Sequence, residues 1–148
     1  MSTTTTDTQL RTIANRLRTY LVSGAGVNSY IAKVYLWFAA PDAALPHIVL
    51  VKRAAESDPE FHHLRETFAV EAIITGRARK DEPTVSALGD LVQAAFPLWS
   101  EATSGLMYYL GCERGEVEYR TDEQDQELIE LRVAVEFAAW PVLMTSLT

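Results

Sequence analysis

The sequence predicts an α+β fold, a mostly antiparallel or mixed β-sheet with two amphipathic helices packed on one face. Three observations carry this. Two stretches place apolar residues three and four apart: Leu10, Ile13, Leu17 and Leu21, then Val85, Leu88, Leu91, Val92, Ala95 and Phe96. Two others alternate with a period of two: Phe68, Val70, Ala72 and Ile74, then Leu131, Val133, Val135 and Phe137 between Glu130, Arg132, Ala134 and Glu136. Runs of strands broken by single helices also favour segregated helices over a parallel sheet wound between them.

Taken in order, the polar start "MSTTTTDTQL" reads as a flexible lead-in over residues 1–7, with Asp7 placed to cap the first helix. That helix closes at "SGAG". The segment "SYIAKVYLWFAAPDAAL" has no clear period and is left irregular, with one strand possible in its aromatic part. Pro46 blocks a helix ahead of "HIVLVKR", where four consecutive apolar residues, Ile48 to Val51, suggest a strand buried on both faces. "AAESDPEFHH" reads as a polar loop. The alternating strand from Arg65 to Thr75 ends at Gly76, with Glu71 and Thr75 on its other side. Pro83 suits the first turn of the second helix, Asp81 its cap, and Pro97 its end. "GLMYYLGC" and "GEVEYR" are short strands, and acidic "TDEQDQ" leads into the long final one.

The chain has 148 residues, which suits one domain over 1–148 with a real core. Apolar residues make up 48% and charged residues 22%, a globular balance. No apolar run approaches the roughly 20 residues that span a bilayer, and the N-terminus lacks the basic and apolar regions of a secretory signal. The single cysteine, Cys112, excludes an internal disulfide framework and fits a reducing compartment. Thirteen basic residues against twenty acidic ones give a net charge of −7. A protein that grips phosphates needs a basic patch, and "GRARKDEP", the densest basic stretch, is offset by its own Asp81 and Glu82.

A search for chemistry returns nothing strong. His62 and His63 are adjacent, so on a strand they would point to opposite faces, and His47 opens a different strand. No cysteine pair or HExxH spacing completes a zinc set. Cys112 ends an apolar strand, where an inert buried thiol is the ordinary state. The glycines at Gly24 and Gly26 follow a helix rather than a strand and so fail as a phosphate or dinucleotide loop. Glu116 and Glu118 share one strand face, which is the pattern of a solvated face more often than of an acid–base pair. No catalytic residue, metal or cofactor is expected.

The unusual features are of another kind. Acids concentrate at Asp122, Glu123, Asp125 and Glu127, in one connection between strands. Aromatics concentrate at Tyr30, Tyr35, Trp37 and Phe38. Such features suit protein contacts, because aromatics anchor interfaces and charged rims set partner choice. Two contact regions are therefore expected: the charged turn with Arg77, Arg79, Lys80, Asp81 and Glu82, and the acidic connection with Asp122, Glu123, Asp125 and Glu127.

The order of these patterns resembles the tail terminator, or tail-completion, proteins of long-tailed bacteriophages. The resemblance rests on an opening helix, "LRTIANRLRTYL", an acid–Ala/Leu–Pro approach to a buried strand, "PDAALPHIVLV", and an alternating strand, "FAVEAII". A second helix, "TVSALGDLVQAAF", and the closing "YRTDEQDQELIELRVAVEF" complete it, so it covers about Leu10 to Phe137. It is a likeness of pattern, with no single specific motif, and the chain has more aromatics before Pro46 than that family leads one to expect. The resemblance implies a structural protein, not an enzyme. It implies a ring, usually hexameric, that caps the tail tube at its head-facing end, stops tube polymerisation and meets the head-side connector or stopper protein. Genome DNA would pass through the lumen without specific binding, the subunits assembling in the host bacterial cytoplasm and residing in the virion. The nearest alternative is another head–tail joining or neck protein, an adaptor or stopper. A small acid–base enzyme is the alternative from a different class, and a dimeric binding module a third.

Overall fold

The computed structural model describes residues 14–24, 33–40, 43–57, 66–102 and 107–139. Six strands form one sheet: β1 (Lys33–Leu36), β2 (His47–Ser57), β3 (Glu66–Arg77), β4 (Met107–Arg114), β5 (Glu118–Thr121) and β6 (Glu127–Ala139). Their order is β1-β2-β3-β6-β4, with β5 also paired to β6. At 13 residues β6 is long enough to take β3 along one side and, on the other, β4 against Val133–Ala139 and β5 against Glu127–Glu130. The Gly115 amide donates to the Arg132 carbonyl (2.8 Å) and carries the ladder between β4 and β5. All pairs are antiparallel except β1 with β2, so the sheet is mixed.

Both helices lie on one face, as the two apolar stripes predict. Helix α1 is described over residues 14–24 and buries Ala14, Leu17 and Leu21; helix α2 (Glu82–Ala102) buries Val85, Leu88, Val92, Ala95 and Phe96. Beneath them lie Ile48 and Leu50 of β2, Val70, Ala72 and Ile74 of β3, and Leu131, Val133, Val135 and Phe137 of β6. Helix and sheet approach closely at Gly89, where a Cβ would strike the Leu131 side chain, so the position suits glycine. The last turn of α1, Tyr20–Gly24, is π-helical. Within α1 the Thr19 and Ser23 hydroxyls donate to the carbonyls of Asn15 and Thr19, four residues back.

Several expectations change. Ile48 to Val51 form a strand, but not one buried on both faces: Ile48 and Leu50 are buried, while Val49 and Val51 are half-buried on the face away from the helices. A continuous apolar run signals burial on both sides only when both sides are covered, and here no described helix covers the second. The polar loop expected from Ala54 does not begin there, because β2 continues to Ser57 past a bulge between Lys52 and Ala54. Its partner β3 is long enough to pair it there, which outweighs the weak strand preference of "AAES". Pro97 does not end α2, which runs on to Ala102. The carbonyl that loses an amide partner belongs to exposed Gln93, which water can solvate, while Phe96 holds the turn into the core. The irregular segment does contain a strand, β1. Glu116 and Glu118 do not share a continuous strand face, because residues 115–117 interrupt the β4–β5 edge. The lead-in at 1–7, Asp7, Leu10, Ile13, Tyr30, His62 and His63 lie outside the described residues.

Candidate interaction surface

The two charged segments singled out in the sequence meet at one end of the sheet. The turn after β3 and the hairpin between β5 and β6 are joined by a hydrogen bond from the Ala78 amide to the Glu127 carbonyl (3.0 Å). A second tie runs from the Tyr119 hydroxyl to Glu82 Oε1 (2.7 Å), which raises the phenol pKa by stabilising its protonated form. Between the two turns lies a recess of about 510 Å³ with Arg79, Glu82, Tyr119 and Glu127 on its walls.

Not all of these residues face outward. Asp81 is buried, and its carboxylate accepts from the Arg77 amide (2.7 Å) while its carbonyl accepts from Val85 (2.8 Å). Asp81 thus opens α2 by position, but its carboxylate closes the preceding turn instead of capping the helix amides. A Cβ on Gly76 would lie 2.7 Å from the Asp81 Cβ, so this turn also needs the glycine that precedes it. Arg79 and Lys80 are exposed, and Arg79 sits in the left-handed region at φ 68°. In the hairpin, Asp122 Oδ1 accepts from the amides of Gln124 (2.9 Å) and Gln126 (2.8 Å), and Asp125 takes the left-handed position at φ 59°. Glu123, Asp125 and Glu127 remain exposed.

The face of the sheet away from the helices carries an ion-pair network that the sequence did not single out. Glu71 of β3 meets Arg132 (2.9 Å) and Arg53 (3.7 Å); Glu130 of β6 meets Arg132 (2.9 Å) and Arg120 (3.2 Å). The chain of charges crosses β2, β3, β6 and β5. Three guanidiniums lie over two carboxylates, and this explains why Glu71 and Glu130 are only 9% and 7% exposed on a face without a helix. The hydrogen bond to Glu130 first, and then the bond to Glu71, raises the Arg132 pKa above its ordinary value, against the opposing effect of burial. The period-two pattern hinted at the network by placing Glu130, Arg132 and Glu71 on the non-core side, but diagonal pairing across β3 and β6 depends on register. Glu71→Gln keeps the shape and removes the charge. It is expected to cost about 1–2 kcal/mol in urea unfolding at low salt, and less at high salt because Arg132 and Arg53 are half exposed.

Beside the network lies a groove of about 760 Å³. Its floor is Val49, Val51, Ile73, Thr75 and Leu128. One wall is built from residues 37–40 and 43–45; the other is the acidic hairpin, with Asp122 and Glu123, and Arg77 and Arg120 stand within it. His47 lines the groove, its ring edge-on to Tyr35 (centroids 5.6 Å apart). Burial pushes the imidazole pKa below its usual value and Arg120 pushes it further, while the hydrogen bond with the Ala44 carbonyl (3.2 Å) opposes both. At the rim, Trp37 has φ 70° and the Phe38 amide donates to the Leu36 carbonyl (2.8 Å), a tight three-residue turn rare for a bulky residue. Phe38 is 76% exposed.

Cys112 is half-buried on β4 against the core, and burial raises its pKa, which disfavours the reactive thiolate. Among the described residues no group of three or more His, Cys, Asp or Glu side chains is placed to hold a metal ion. No described helix is long and apolar enough to cross a membrane. Comparison with protein-family models and with characterised proteins returned no match.

Proposed function

We propose that this chain is a structural tail terminator of a long-tailed bacteriophage, a ring-forming subunit that caps the tail tube at its head-proximal end. The observation that carries the reading is the meeting of the two charged turns, Arg77–Glu82 and Asp122–Glu127, at one end of the sheet. A subunit that must touch copies of itself, the tube protein and the head-side connector needs contact residues gathered on surfaces, and here two segments far apart in sequence are gathered on one. The pattern of helices and alternating strands supports the same reading. The role requires no catalytic residue and no cofactor.

In this proposal the exposed Arg79 and Lys80 meet a neighbouring copy or the tube, and Glu123, Asp125 and Glu127 face the head-side partner or the lumen. Each copy carries −7, so a hexameric ring would be strongly acidic. A lumen of that sign would repel phosphates and let the genome slide through.

The test is tube capping. Purified tail tubes incubated with the chain are expected to stop elongating and to show one added ring at one end by electron microscopy, with native mass spectrometry giving about six copies. Arg79→Glu with Lys80→Glu is expected to lower ring occupancy on tubes about tenfold while leaving the circular dichroism spectrum unchanged, because both side chains are exposed. Tubes that elongate freely in the presence of the wild-type chain would remove the reading.

A further inference from the structure

The open face of the sheet carries a docking groove and, on its rim, a side chain suited to fill it. We propose that the groove receives Phe38 of a second copy of this chain, head to tail, so that copies join through this face. The inference deepens the ring reading above by naming the surface through which neighbours join.

Three observations point there. The first is the rim. Trp37 is held in the left-handed region, where a bulky side chain rarely sits, and the turn it makes leaves Phe38 76% exposed. A strained turn that sets an aromatic ring into water is costly for an isolated monomer, and burial of the ring against a partner offsets that cost. The second is the groove. Half-buried Val49, Val51 and Ile73, beside buried Leu128, give an apolar floor on a sheet face that no described helix covers, and about 760 Å³ is ample for one phenyl ring and its flanking backbone.

The third is charge, and it selects a second copy as the occupant. The strand leading to Phe38 begins with exposed Lys33, whereas the far wall of the groove is the hairpin, with Asp122 and exposed Glu123. A neighbour oriented with its β1 along the groove would set that cation against the other copy's acidic wall. Phe38 stands on the rim of its own copy's groove, and the proposed contact is the one-way form, in which each copy gives its Phe38 to one neighbour and receives one from another. Repeated contacts of this type close into a ring when the rotation between neighbours divides a full turn, and otherwise grow as a filament.

The experiment is sedimentation velocity of the full chain across a wide concentration range, with circular dichroism on each variant. The wild-type mass is expected to rise with concentration. Phe38→Glu, at an exposed position, should raise the concentration for half-assembly at least about tenfold. Lys33→Glu and Glu123→Lys should each raise it about threefold. Their combination in one chain should bring it back toward wild type, because every interface then holds the same charge pair with its two signs exchanged. A wild-type chain that stays monomeric at every concentration would overturn the inference, and so would assembly that ignores Phe38→Glu or charge reversal without rescue. The tail-terminator reading is judged separately by tube capping, so either can fail while the other stands.

Discussion

Val135→Asp is expected to be the most destabilising single substitution in the core. Val135 is 1% exposed on β6, with Val70 of β3 and Cys112 of β4 as register partners, and it belongs to the core beneath the helices. A carboxylate there would lose its water and gain no cation from either register neighbour, a cost of about 4 kcal/mol or more. That is a large share of the roughly 5–15 kcal/mol by which a domain is stable. The same change at Val133 should be milder, because its register partner on β4 is Arg114, whose guanidinium already pairs with Asp90 of α2 nearby. Urea titration followed by circular dichroism distinguishes the two. If Val135→Asp unfolds cooperatively near the wild-type midpoint, the placement of β6 at the centre of the core is wrong.

Phe96→Ala should be the second most damaging change. Phe96 is fully buried on α2 and is one of the two largest such side chains, with Phe137 on β6. Its loss removes the transfer free energy of a ring and leaves a cavity, together about 3–5 kcal/mol. For a chain of this size the melting temperature should fall by roughly 10 °C or more. Leu98→Ala on the same helix is the comparison: Leu98 is 57% exposed, and its removal should change stability by about 0.5 kcal/mol at most. Because Pro97 lies between these residues, the contrast also tests whether α2 continues past its proline with Phe96 turned inward. Equal losses at the two positions would show that it does not.

Much of the fold could be read before the structure because it depends on local period. The spacing of Val85, Leu88, Val92, Ala95 and Phe96 allows only one face of a helix to be apolar, and all five are buried. The alternation at Val70, Ala72 and Ile74 and at Leu131, Val133, Val135 and Phe137 likewise picks one face of the sheet, and all seven are buried. The segment from Ile48 to Val51 failed where period carries no information: a run of four apolar residues does not say whether its second face is covered. Pro97 failed for a related reason, since a buried aromatic neighbour decided a point on which local preference leaned the other way.

The candidate surface divides in the same manner. The charged turn and the acidic hairpin were visible as composition, Arg77 to Glu82 and Asp122 to Glu127. That Asp81 and Asp122 would turn inward onto backbone amides while Arg79, Lys80, Glu123 and Asp125 stay exposed was not visible. The ion network through Glu71, Arg132 and Glu130, and the groove with Phe38 on its rim, join strands far apart in sequence.

The sequence alone determined the class of fold, the faces of α2, β3 and β6 that enter the core, and an overall acidic charge, because each follows from spacing or counting along a single chain. Only the tertiary structure decided strand order, the parallel pairing of β1 with β2, the meeting of the two charged turns and the groove on the open face. Those depend on register between distant strands, and a shift of one residue would turn Glu71, Glu130 and Arg132 toward the core and the apolar set toward water.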